Sequence, residues 1–197
     1  VPWPWLRLSL LAFSAIAVLA LTADLASIRI RANRAFNESE ASSLVSEAVI
    51  EIATATNRYV DFAGRFSLPH PPSWAAYPYR NEGDYDVTLR GPHRMEVSVM
   101  TRPIATPDME AIRTRILENE ARARIRTDLE EVTFQNRPAF RRVVQLRTIS
   151  IEALDFIAGS LHFHIAASAP RNAFDDLRPA LHAMVEGVRI PPVAAPE

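Results

Sequence analysis

From Leu8 to Ala23 the chain carries no charge, and apolar residues dominate the run. As a helix this stretch covers roughly 24 Å, somewhat short of the ~30 Å hydrocarbon core of a bilayer. Arg7 and Arg29 flank it, where long basic side chains reach the interface and extend the effective span. Trp3 and Trp5 stand where an interfacial aromatic belt would sit, and Leu8, Leu11, Phe13, Ile16 and Leu19 supply the lipid-facing body. The pattern predicts a transmembrane anchor over residues 1–30. A cleaved signal sequence has a similar apolar length. Its small-residue cleavage site, ending at Ala23, would place Leu21 three residues before the cut, so a retained single-pass anchor is the expectation.

The next stretch reads as a second helix. Residues 25–57 contain neither Pro nor Gly, and Leu44, Val45, Ala48, Val49 and Ile52 fall on one helical face behind Glu38 and Glu40. An amphipathic juxtamembrane helix over residues 31–58 follows. Arg29, Arg31 and Arg34 after the anchor, against Arg7 before it, would place the bulk of the chain in the cytoplasm by the positive-inside count. A short tail ahead of a signal-like run argues for the opposite, periplasmic side, and that is the expectation carried forward.

Beyond residue 58 the period shortens. Gly64 to Pro69 reads as a strand stopped by Pro69, Pro71 and Pro72 ahead of Trp74. A turn at Asn81–Asp84 leads to a short strand at Val87–Leu89, and Met95, Val97 and Val99 alternate with Glu96, Ser98 and Met100 as a half-buried strand. A helix is predicted from Thr106 as cap, with Pro107 and Asp108 in its first turn and Met109, Ile112, Ile116 and Ala123 as its buried stripe. Arg115, Arg122 and Arg126 with Glu118 form a solvated face.

Phe134–Ala153 is β-rich, with a parity slip at Thr148–Ile149 that suggests a bulge. Ala158-Gly159-Ser160 turns the chain into a strand from Leu161 to Ala167. Phe174, Leu177, Leu181, Met184, Val185 and Val188 then outline a closing helix that starts near Asp175, and the prolines at 191, 192 and 196 mark a flexible tail over 191–197. The expected class is α+β: one domain over 59–190 with helices against an antiparallel sheet.

Composition narrows the chemistry. A chain of 197 residues with net charge -1 lacks the basic surplus that nucleic acid demands. There is no cysteine, so thiol nucleophiles, disulfides and thiolate metal sites are excluded. All 22 basic residues are arginine, which removes Schiff-base chemistry and a phosphate-gripping lysine. No Ser-His-Asp spacing or nucleophile elbow stands out.

Gly64-x-Phe66-Ser67-x-Pro69-x-Pro71-x-x-Trp74 resembles the opening of PsbP-like domains. Asn136-Arg137-Pro138-Ala139 resembles the turn before that family's long central strand, and Leu161–Pro170 with Phe174–Ile190 resembles its last strand and closing helix. The resemblance implies an α/β/α sandwich of the kind found in accessory and assembly proteins, among them the extrinsic subunit of photosystem II and bacterial envelope proteins. It implies no shared catalytic site and no cofactor, and shape alone does not confer function.

His162 and His164, two apart on a strand, project to one face and are the candidate metal ligands. Glu82, Asp84 and Asp86 around Gly83 are a weaker, calcium-type cluster. Trp74, Tyr77 and Tyr79 form either a lid on the core or an aromatic surface for a protein partner. The expected function is that of a non-enzymatic, membrane-anchored accessory subunit bound to a larger membrane-protein complex and to the bilayer. The alternatives are a pilin-like structural subunit and a ligand- or metal-binding envelope domain.

Overall fold

The computed structural model describes residues 57–79, 85–125 and 127–191, together with residues 50 and 55. The anchor residues Trp3, Trp5, Leu8, Leu11, Phe13, Ile16 and Leu19, together with Glu82 and Asp84, lie outside them, as does the juxtamembrane stretch 31–58 except for residues 50, 55, 57 and 58; Ile50 is helical, whereas Asn57 and Arg58 already belong to a strand. No helix among the described residues is long and apolar enough to cross a membrane.

Nine strands and two longer helices are described. The strands are β1 (Asn57–Val60), β2 (Ser67–His70), β3 (Ala75–Pro78), β4 (Val87–Arg90), β5 (Glu96–Pro103), β6 (Glu130–Phe134), β7 (Arg137–Gln145), β8 (Ile149–Ala158) and β9 (Leu161–Pro170). The helices are α1 (Met109–Ala123) and α2 (Phe174–Glu186). β1 and β2 pair as a small hairpin, while the other seven strands form one antiparallel sheet in the order β3-β4-β5-β9-β8-β7-β6.

Alternation decides which helix covers which face. Val97, Val99, Phe163, Ile165, Leu154 and Phe156 point to one face and pack with Leu177, Leu181 and Met184 of α2. Phe140 points to the other, where it meets Ile112 and Ile116 of α1. The result is three layers. An aromatic ladder runs through the α2 side: Phe156 and Phe163 are registered partners stacked at 5.1 Å, with Phe134 4.9 Å from Phe156 and Phe66 edge-on to Phe163.

Each helix is also fastened to the sheet by an arginine–carboxylate pair. Arg178 of α2 donates twice to Glu152 of β8, at 2.9 and 3.2 Å. Glu120 of α1 meets Arg142 of β7 at 3.2 Å.

Several sequence expectations change. The first-turn cap of α1 is Asp108, which accepts from the Glu110 amide, and not Thr106; Ala123 is exposed, not part of the buried stripe. The parity slip at Thr148–Ile149 is a turn between β7 and β8, closed by the Leu146 amide on the Ile149 carbonyl, and not a bulge. The strand after Gly159 extends to Pro170. Asn136 does sit in a turn, where it and Gln135 both take positive φ (62° and 48°), the geometry of a two-residue hairpin loop. The strand that follows, β7, is second from the edge; β9 is the central strand.

Candidate functional site

The α1 face of the sheet carries a polar cluster in its middle. Across β5, β9 and β8, register places Met100 beside His164 and His164 beside Asp155, with Arg102 beside His162 and His162 beside Ile157. His162 and His164 therefore do share a face, as their spacing requires. Each commits a ring nitrogen to the same acceptor: His162 Nε2 and His164 Nδ1 both lie 2.9 Å from Asp155 Oδ1. The second carboxylate oxygen accepts from Arg142 Nη1.

Asp155 is 2% exposed. Burial alone would push its carboxyl up, but the hydrogen bonds from His162 and His164, with the charges of His164 and Arg142, hold it far below the usual carboxylate range. Arg142 passes the network on to Glu120, which also accepts from the Thr127 hydroxyl. Tyr85 stacks on the His164 ring, with centroids 6.1 Å apart. Among the described residues no three His, Asp or Glu side chains are arranged to hold a metal ion. The two imidazoles close on one carboxylate, which also accepts from Arg142.

A second cluster fixes the β1–β2 hairpin. Asp61 accepts from Arg65 Nε and Nη2, both at 2.7 Å, and from the Ala63 and Arg65 amides. Arg65 reaches on to Asp86 at 2.9 Å, and Asp86 in turn accepts from the Thr101 amide. Asp86 thus belongs to an internal network, whereas its sequence neighbours had suggested a cation loop.

The three candidate aromatics part company. Trp74 is buried, its indole packed so closely over Gly91 that a Cβ there would sit 2.3 Å from it. Tyr77 and Tyr79 are 45% and 41% exposed on and just beyond β3, one of the sheet's two edge strands, whose four residues are all exposed. Arg90 lies 5.0 Å over the Tyr77 ring, and the Tyr79 amide donates to the Asp86 carbonyl at 3.0 Å, so the Tyr77 ring and the Tyr79 backbone are held in place.

No protein-family model and no curated protein matches this sequence. Solved structures do. The solution structure of cyanobacterial PsbP from Synechocystis sp. PCC 6803 superposes with a TM-score of 0.55 at 11% identity, covering 69% of this chain and 92% of that one. The fold is PsbP-like. LpqN of Mycobacterium tuberculosis, a protein involved in cell envelope biogenesis, gives a TM-score of 0.48 at 13% identity, covering 64% of this chain and 83% of that one. The likeness is one of fold alone. At such identity it carries over no site residue, so the roles of Asp155, Arg142 and the two tyrosines rest on this chain's own geometry.

Asp155, Arg142 and Glu120 were not singled out from sequence. A usable signal existed: one acid inside the apolar run Ala153–Ile157, facing a His-x-His across a tight turn at Gly159.

Proposed function

We propose that this chain is a non-enzymatic accessory or assembly subunit, tethered by its apolar amino-terminal run, whose PsbP-like domain lies on the extracytoplasmic side and docks onto a membrane-protein complex. The observation that carries this reading is the pair Tyr77 and Tyr79, exposed on and just beyond an edge strand, with Arg90 over the Tyr77 ring and the Tyr79 backbone bonded to the Asp86 carbonyl. Rigid amphipathic aromatics are the side chains that dominate protein interfaces, because they bury large area at small entropic cost. An edge strand adds unpaired backbone donors and acceptors beside them.

Asp155 itself does not fit a general acid or base. A general acid or base needs a carboxyl poised near the working pH. Asp155 is held in the opposite direction, with three donors fixed on it.

The test is affinity purification of the full chain from native membranes beside the Tyr77→Ala/Tyr79→Ala double variant. A stoichiometric membrane-protein partner, retained by the parent and lost by the folded variant, is expected. An identical set of co-purified proteins from both would sink the assignment of this edge.

A further inference from the structure

α1 does not close flush on the sheet. Between them lies a groove of about 340 Å³, within the size range of small-molecule sites. Arg102 and Arg115 lie exposed at its rim, while His162 and Asp155 are buried at its floor. Met100, Ile112, Ile116 and Val144 supply apolar lining.

Charge and hydrogen bonding on this lining point to one kind of occupant. Three arginines (102, 115 and 142) stand against two carboxylates, Glu120 and Asp155. Both carboxylates are already bonded to Arg142, and Asp155 to two imidazoles besides. The lining thus holds one more arginine than carboxylate, and Arg115 stands exposed at the rim. At the floor, His162 is 6% exposed, and its Nδ1 has no hydrogen-bond partner among the described residues. Its Nε2 faces a carboxylate, which only accepts, so Nε2 carries a proton and Nδ1 is left as a buried polar atom that a hydroxyl, able both to donate and to accept, can meet. A buried polar atom of this kind is unfavourable until a partner meets it.

We propose that this groove binds a small aliphatic hydroxycarboxylic acid. The carboxylate sits against Arg115 at the rim, the hydroxyl pairs with Nδ1 of His162, and the hydrocarbon lies against Met100, Ile112, Ile116 and Val144. The site is separate from the tyrosine edge on β3 and stands or falls independently of it.

The full chain in lipid nanodiscs is titrated with 3-hydroxyhexanoate and with hexanoate, by calorimetry and by methyl NMR of Ile112 and Ile116. Saturable binding of the hydroxy acid is expected, tighter than that of hexanoate by about fivefold, the worth of one hydrogen bond. His162→Ala removes the difference between the two acids. Arg115→Gln, an exposed change that leaves the core intact, weakens both by about fivefold. No saturable binding at millimolar ligand, equal affinity for the two acids, or affinity indifferent to Arg115→Gln overturns the proposal. Should His162→Ala fail to fold, the acid pair and Arg115→Gln still decide it.

Discussion

Asp155 and His164 are registered partners on β8 and β9, and Nδ1 of the imidazole donates to Oδ1 of the carboxylate at 2.9 Å. Because His162 and Arg142 close on the same carboxylate, its loss strands several groups at once. Asp155→Ala is expected to cost about 3–5 kcal/mol, the usual consequence of deleting one partner of a buried ion pair. A urea titration measures it as a lower midpoint at unchanged slope. Asp155→Asn, which keeps the shape and one acceptor, should cost less.

The same carboxylate sets a pH dependence. The folded state holds Asp155, and also Asp61, below the ordinary carboxylate value: burial pushes each up, and bonds from His162 and His164, or from Arg65, outweigh it. A depressed folded value means stability that is present above the unfolded pKa, about 3.9, and is lost as pH falls through and below it. The stability gap between the parent and Asp155→Asn is therefore predicted to narrow from neutral pH to about pH 3. A constant gap across that range in chemical denaturation would count against this network.

Gly91 is required by Trp74 rather than by its own backbone. A Cβ at this position would lie 2.3 Å from the indole Cε2, with two further indole atoms within 2.7 Å. Gly91→Ala should destabilise by about 1–3 kcal/mol through overpacking. Trp74→Phe, which removes those atoms, should recover part of the loss in the double variant, as read by thermal unfolding.

Arg65 holds the β1–β2 hairpin through Asp61 and Asp86. Phe62 stands exposed in the loop so fixed. Arg65→Met keeps most of the apolar stem but removes charge-assisted bonds worth about 1.5–3 kcal/mol each to their acceptors. Faster amide exchange at residues 61–66, with protection in β8 and β9 retained, is the expected signature.

The legible parts of the fold were those with a period. Met95, Val97 and Val99 announced β5 because one face of that strand is buried under α2. Ile112 and Ile116 announced α1. β3 escaped because all four of its residues are exposed, so no alternation marks it. The turn at Leu146–Thr148 looked like a bulge because both interruptions shift parity, and only strand pairing separates them. The histidine pair was visible, but Asp155 was not: its role comes from register across β8–β9, and a lone acid in an apolar run carries no period.

Docking through the β3 edge is the core of the functional reading, and site-specific photo-crosslinking tests it most directly. A benzophenone amino acid replaces Tyr79 in the full chain, and native membranes are irradiated. One discrete adduct with a membrane protein is predicted, absent when Tyr77→Ala is added. Adducts to no protein, or an adduct unchanged by Tyr77→Ala, would contradict it.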